Sequence, residues 1–316
     1  MTYIGIDISK QWFDAFCSYK SQVRRFKNTP SGYEQLRSWL PEHAHIVMEA
    51  SGPYYLQLAN WLTEHDFPVS VVNPLVIKRY CQMKLARTKT DQKDAQMIAY
   101  YGIDQQPKQW KPASQARMAL QQLMSVRDGL LRQRSILHGQ QEAFVQYPVD
   151  PLVMQTLSEQ VQSVNAAIKR IDHRLEALVA SHYESNFIGL CSIPGIGKKT
   201  AIMLICISDG FTRFENSRQL ASYVGLCPRI YKSGSSVNGR GAICKMGSPQ
   251  LRKMLYMCSW TAKKCNLGCS EMYERMKKEG KPERVIKVAI AHKLLRQAFA
   301  VGKNGSKYDE SLAMVA

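Results

Sequence analysis

With 316 residues the chain has room for two modest domains, or one domain with an insertion, and 45% apolar residues exclude wholesale disorder. A net charge of +18 is large for a soluble enzyme, and the simplest partner for it is a polyanion rather than an acidic surface of its own kind. The excess is uneven: residues 190–316 hold 22 Lys and Arg against 8 Asp and Glu, so the carboxy-terminal part is the more basic one.

From the amino terminus, Tyr3-Ile4-Gly5-Ile6-Asp7-Ile8 reads as a strand carrying an acid near its end. Phe13 to Cys17 and Val23 to Phe26 add two short strands, giving an antiparallel meander. Asn28 to Ser31 punctuates, with Ser31 expected to cap a helix through Leu40. A buried-type strand at Ile46 to Glu49, a turn at Ser51-Gly52-Pro53, a helix from Tyr54 to His65 and a strand at Val69 to Val72 follow. Strands alternating with helices predict a mixed α/β sheet.

The middle changes period. Leu123, Leu130, Leu137 and Phe144 recur every seven residues, with Arg127 and Arg134 at the companion position. After Tyr147-Pro148, Leu157, Val161, Val164, Ile168, Ile171, Leu175 and Leu178 alternate steps of four and three, which is a heptad seam. The pattern predicts an antiparallel coiled-coil hairpin, equally usable within one chain or as a dimer arm. Further on, Ile193-Pro194-Gly195-Ile196-Gly197-Lys198-Lys199-Thr200 resembles the turn of a helix-hairpin-helix motif, whose backbone amides face a nucleic-acid phosphate. A helix start with a tight turn is the plainer reading. Helical patterns at Gln219 to Val224, Pro249 to Lys264 and Arg284 to Val301 flank a Gly/Ser-rich loop from Ser233 to Gly241, and the tail after Gly302 is expected to fray.

The nine cysteines form no Cys-x-x-Cys pair, and Cys265 and Cys269 have no His or Cys partners at zinc spacing, so free thiols are expected. No signal peptide opens the sequence and no apolar run approaches the ~18 residues of a membrane span. A cytoplasmic, nucleoid-associated protein with no membrane partner is the expectation.

Four acids stand out. Asp7 and Glu49 each end an apolar strand, and Asp91 and Asp94 lie on one face at the start of a helix running toward Tyr101. Converging carboxylates would repel one another unless cations sat between them. Two Mg²⁺ ions, with Mn²⁺ as an alternative, about 3.5–4 Å apart would neutralise them and clamp the attacking and leaving oxygens of a phosphate. Taken singly, Asp94 is an ordinary first-turn acid favoured by the helix dipole, Asp91 an N-cap, and Glu49 a solvated strand end. Asp7, inside an otherwise buried-type strand, is harder to explain that way. Ile4-Gly5-Ile6-Asp7 also resembles the first phosphate strand of the sugar-kinase and actin ATPase fold, but the second Asp-Gly-Gly-type loop of that fold is not in the sequence.

Five segments in order resemble the DEDD transposases of the IS-one-ten type. They are Tyr3 to Lys10, Met48 to Tyr54, Lys89 to Ala95, Ser192 to Gly197, and Arg229-Ile230-Tyr231-Lys232-Ser233-Gly234-Ser235-Ser236. The resemblance runs from residue 3 to about 300, and Piv-type DNA invertases are relatives of that family. It implies an α/β RNase H-like (RuvC-like) domain over residues 1–110, a coiled-coil hairpin over 111–185, a mostly helical transposase domain over 186–302 and a tail over 303–316. It also implies a recombinase that excises and inserts a mobile element on donor and target DNA, guided by a bridge RNA. Its acids map onto Asp7, Glu49, Asp91 and Asp94, which would hold Mg²⁺, and its nucleophilic serine onto Ser233. From the residues alone, Ser235 and Ser236 are equivalent to Ser233. Arg229, Tyr231, Lys232, Arg240, Lys245, Arg252, Lys198 and Lys199 are the candidates for nucleic-acid contact, with Lys253 beside them, and Tyr256 and Trp260 for stacking or core. Acids and serine lie about 140 residues apart in sequence, so either the hairpin folds back or protomers share a site, and the family implies the second, as a dimer or as a tetramer on synapsed DNA. A water-using RuvC-like nuclease and a non-catalytic architectural binder are the rival readings.

Overall fold

The amino-terminal sequence alternates apolar with small or polar residues, and that period of two sets the first strands. A computed structural model describes residues 2–85, 90–229, 232–233, 237–238 and 242–311. They divide into two units, Met1–Ala113 and Ser114–Ala316.

In the first unit, β1 (Thr2–Ile8), β2 (Trp12–Cys17), β3 (Gln22–Lys27), β4 (Ala44–Glu49) and β5 (Val69–Val72) form one mixed sheet in the order β3-β2-β1-β4-β5. The first three strands pair antiparallel, as the meander predicted, while β4 and β5 join in parallel. This mixed sheet is consistent with the RNase H-like expectation. Ile4, Ile6 and Ile8 point into a core shared with Phe13, Phe26, Tyr33, Leu36 and Leu58, which includes helices α1 (Pro30–Trp39) and α2 (Tyr55–Glu64). The cap of α1 is Thr29 rather than Ser31: Thr29 is extended, its hydroxyl accepts from the Gly32 amide, and Pro30 takes the first helical position.

Two helices cover the other face. The sequence reading passed over α3 (Pro74–Met83), although Asn73-Pro74 is a helix-start signal: the Asn73 side chain accepts from the Leu75 amide at 2.9 Å. α4 (Asp91–Gln105) extends four residues beyond Tyr101.

The second unit is mostly helical. α5 (Gln115–Phe144) and α6 (Pro151–His182) are the two long helices the sevenfold spacing predicted. Arg127 bonds Asp172, Arg134 bonds Asn165 at 3.2 Å, and Gln141 bonds Ser158 at 3.3 Å. Each step of seven up α5 matches a step of seven down α6, so the pair runs antiparallel, and the arginines that interrupt the apolar repeat find polar partners there. α7 (Glu184–Cys191) and α8 (Lys198–Ser208) are joined through Gly195 and Gly197; a Cβ on Gly195 would stand 2.7 Å from the Ala262 Cβ.

α9 (Ser217–Val224), α10 (Pro249–Cys265), α11 (Leu267–Lys278) and α12 (Glu283–Asn304) complete the unit. Of these α11 was not anticipated. Its cap is Asn266, which accepts from the Cys269 amide. Part of the expected loop is paired strand, β7 (Lys232–Ser233) with β8 (Val237–Asn238), and β6 (Pro228–Arg229) pairs with β9 (Ala242–Ile243) on its flanks. The segment after Gly302 does not simply fray. The Tyr308 amide donates to Ser192 Oγ at 2.8 Å, and Glu310 accepts from the Leu267 amide. All nine cysteines are free. Among the described residues no helix is long and apolar enough to cross a membrane.

Candidate functional site

The site begins with the two faces of β1. While Ile4, Ile6 and Ile8 enter the core, Tyr3, Gly5 and Asp7 turn to the opposite side, where α4 lies. A Cβ on Gly102 would meet Tyr3, and a Cβ on Gly5 would run into the backbone of Ala95 and Ala99. α4 therefore runs antiparallel along β1, and the missing side chain of Gly5 is what lets it lie so close. Continuing that alignment carries the first turn of α4, with Asp91 and Asp94, to the end of β1 that bears Asp7.

Strand register supplies the rest. Asp7 pairs with Asp14 on β2, and Asp14 pairs with Arg25 on β3. On the other side Ile6 pairs with Met48 of the parallel strand β4, so Glu49 follows level with Asp7. Registered neighbours in a sheet share a face. Arg25, Asp14, Asp7 and Glu49 thus form a row across four adjacent strands.

Electrostatically, Asp7 feels the charge of each of the other three predicted acids. The Asp7 carboxyl is pushed up to about 6, first by burial and then by Asp94, Asp91, Glu49 and Asp14 in turn. The Cys81 thiol on α3 is also pushed up, by burial and then by Asp94 and Glu49. A carboxyl titrating near neutrality can exchange a proton or, once a cation offsets the repulsion, act as a ligand.

Two residues here were missed by the sequence reading. Asp14 is buried at 3% exposure and holds Arg25 through three contacts: Nε to Oδ1 at 3.0 Å, Nε to Oδ2 at 3.2 Å and Nη2 to Oδ2 at 2.7 Å. The same Nη2 also donates to Asp91 Oδ2 at 3.2 Å. An acid within Phe13-Asp14-Ala15-Phe16 carries the same signal that singled out Asp7. Asp91 is not the N-cap: Thr90 is, accepting from the Lys93 amide at 3.3 Å, so the helix makes no demand on the Asp91 carboxylate. Glu49 accepts from Ser51 Oγ at 2.7 Å.

Carboxylate oxygens are the hard donors that Mg²⁺ or Mn²⁺ takes, and the repulsion centred on Asp7 is what a bound cation would relieve, so the residues fit such an ion. Among the described residues, no three acid, His or Cys side chains are already gathered at ion-holding distance.

The candidates in the second unit are spread more widely. Ser233 lies on β7 opposite Val237, and Lys232 opposite Asn238. Tyr231 and Arg240 lie outside the described residues. Arg229 is exposed on β6, and Lys245 and Lys253 are exposed as well. Arg252 commits Nη1 to the Val224 carbonyl at 2.8 Å, which ends α9. Lys198 and Lys199 pair with Glu176 and Asp172 of α6 at 3.2 and 3.6 Å, partners that a phosphate would have to displace. Trp260 lies under the ammonium of Lys287, 3.3 Å from its ring centre, and Tyr256 is half-buried.

Comparison with known proteins gives consistent matches along the chain. A DEDD-type IS110 transposase model matches residues 4–147, and a model described as transposase IS116/IS110/IS902 family matches residues 189–274. Two pilin gene-inverting proteins, from Moraxella lacunata and Moraxella bovis, are each 34% identical over 98% of this chain and 98% of their own. A transposase for insertion sequence element IS1328 from Yersinia enterocolitica is 23% identical over 98% of this chain and 99% of its own.

Proposed function

Because the chain belongs to the IS110 family of transposases, we propose that it breaks and rejoins DNA through a serine intermediate, with Asp7, Glu49, Asp91 and Asp94 as a divalent-cation set. The observation that carries this reading is the Asp7 carboxyl raised to about 6, first by burial and then by the carboxylates around it. A set of acids held together against their own repulsion is a cost to the fold unless it has a cation to bind.

A bound Mg²⁺, or Mn²⁺ in its place, would supply Lewis-acid stabilisation of charge on the phosphate oxygens. The chain's own residues do the rest. Asp7, Glu49, Asp91 and Asp94 provide the oxygen donors. Ser233 Oγ attacks phosphorus; the bond to the 3′-oxygen breaks, and that oxygen leaves with a proton as a 3′-hydroxyl. The DNA is then joined to the protein as a phosphoserine. Attack by the 3′-hydroxyl of another strand restores the serine and a phosphodiester, so no bond energy is lost to water. Relatives named for inverting a pilin gene fit this economy, since inversion must rejoin every strand it breaks.

Donor and target DNA are the substrates, and the basic carboxy-terminal part supplies phosphate contacts, with Arg229, Lys232, Arg240 and Lys245 the nearest in sequence to Ser233 and Tyr231 among them. A bridge RNA would choose the sites by base pairing, leaving the protein to hold backbone and shape. The proposed division is a RuvC-like domain over 1–110, a coiled coil over 111–185 formed by α5 and α6, and a transposase domain over 186–302, acting as a dimer and as a tetramer on synapsed DNA.

The test is to incubate the protein with element-end DNA, the flanking transcript and Mg²⁺ and to look for a covalent protein–DNA adduct by denaturing gel and mass spectrometry. The adduct is expected on Ser233 and absent from Ser233→Ala. Strand exchange by Ser233→Ala, or recombination by the wild type with no adduct, would overturn the serine step in favour of a water-using nuclease.

A further inference from the structure

Arg25 has no part in the chemistry proposed above, yet it sits at the end of the acidic row and touches one of its members. We propose that Arg25, anchored on buried Asp14, is a positioning residue that holds Asp91 in the cation-free protein and must release it when a divalent cation binds. This rests on the reading that the four acids bind such a cation.

The argument is one of unequal grips. Asp14 is 4% exposed in its side chain and Arg25 is 52% exposed. Both carboxylate oxygens of Asp14 accept from Arg25, in the two-branched geometry that only a guanidinium offers. A buried carboxylate stripped of its partner is strongly disfavoured, so Arg25 stays on Asp14 whatever happens nearby. The contact with Asp91 is of another kind. It is one bond at 3.2 Å between side chains 52% and 70% exposed, and Nη2 makes it while already serving Asp14. Exposed pairs of this sort exchange readily with water and ions.

Asp91 is free to respond because Thr90 caps α4 in its place. Arg25 therefore acts as a resident positive charge for Asp14 and for Asp91 in the first turn of α4. An incoming cation has to take Asp91 Oδ2 away from it. The bond needs no motion of the strands, since Arg25 remains seated on Asp14 throughout.

The neighbouring residue provides a control. Arg24 carries the same charge on β3 but faces the other side, where it packs over the Phe26 ring. Losing it changes the net charge equally and touches none of the acids.

The experiment is calorimetric titration of the full-length protein with Mn²⁺, without nucleic acid, for the wild type, Arg25→Gln, Arg25→Lys and Arg24→Gln. Arg25→Gln should bind Mn²⁺ about three- to fivefold more tightly, the range that loss of one exposed ion pair allows. Arg25→Lys keeps the charge on Asp14 but loses the second branch, and should tighten binding by a smaller factor. Arg24→Gln should match the wild type. A merely structural Asp14–Arg25 pair would lower Tm without tightening Mn²⁺ binding. If Arg25→Gln fails to fold, Arg25→Lys decides alone. Folded Arg25 variants that bind Mn²⁺ no more tightly than the wild type overturn the proposal, as does equal tightening in Arg24→Gln. A wild type that binds no Mn²⁺ overturns the cation reading and this proposal together.

Discussion

The Asp7 carboxyl on β1 is raised to about 6 by burial and then by the acids facing it from α4, β4 and β2. An acid flanked by Ile6 and Ile8, both in the core, was legible as an anomaly. Asp14 carried the same anomaly in Phe13-Asp14-Ala15-Phe16, but it became visible only through register, since nothing local says that β2 lies with Asp14 opposite Asp7. Arg25 was hidden for the same reason, in an unremarkable Arg24-Arg25 pair. The raised carboxyl has a consequence for stability. Between about pH 4, the unfolded value, and about 6, the folded protein holds a proton that the unfolded chain has lost, so stability falls as pH rises through this window and stays lower above it. In EDTA at about pH 8, Asp7→Asn should therefore melt at a higher temperature than the wild type, with the gap closing as pH falls to about 4. Thermal unfolding across that range checks it, and an Asp7→Asn protein less stable than the wild type at the upper end would argue that the repulsion is already offset.

At the scale of elements, α4 over β1 positions the site, and Gly5 decides how closely it can lie. Gly5→Ala places a methyl group against the backbone of Ala95 and Ala99, which cannot move without shifting the whole helix. A loss of about 3 kcal/mol in urea unfolding is expected. A change within error would mean that α4 does not approach β1 this closely. Elements with a strong period were legible, β1 to β5 and the sevenfold pattern of α5 and α6, whereas the partners of Arg127 and Arg134, Asp172 and Asn165, came only from the pairing of the two helices. The helices missed, α3, α7 and α11, are short; α3 and α11 begin at asparagine caps, while α7 starts at Tyr183 with no side-chain cap to signal it. Thr29 displaced Ser31 as a cap because Pro30 fixes the helix start one residue later than Thr29, a choice that turns on backbone angles rather than on residue preference. The short strands around Ser233 were unreadable because two-residue pairings leave no period.

At the scale of the whole molecule, charge and motifs carry different parts of the reading. The basic excess indicates a polyanionic partner, the ordered motifs indicate the family, and the structure adds the meeting of the acids within one unit. The central claim is that these acids carry out DNA breakage rather than stabilise a fold that merely binds DNA. Its most direct test is Mg²⁺-dependent cleavage of element-end DNA by Asp7→Asn, with DNA affinity and Tm measured on the same preparation. Asp7→Asn should bind the DNA as the wild type does and remain folded, while cleavage drops by about a thousandfold or more. Cleavage at the wild-type rate by the folded variant would contradict the account.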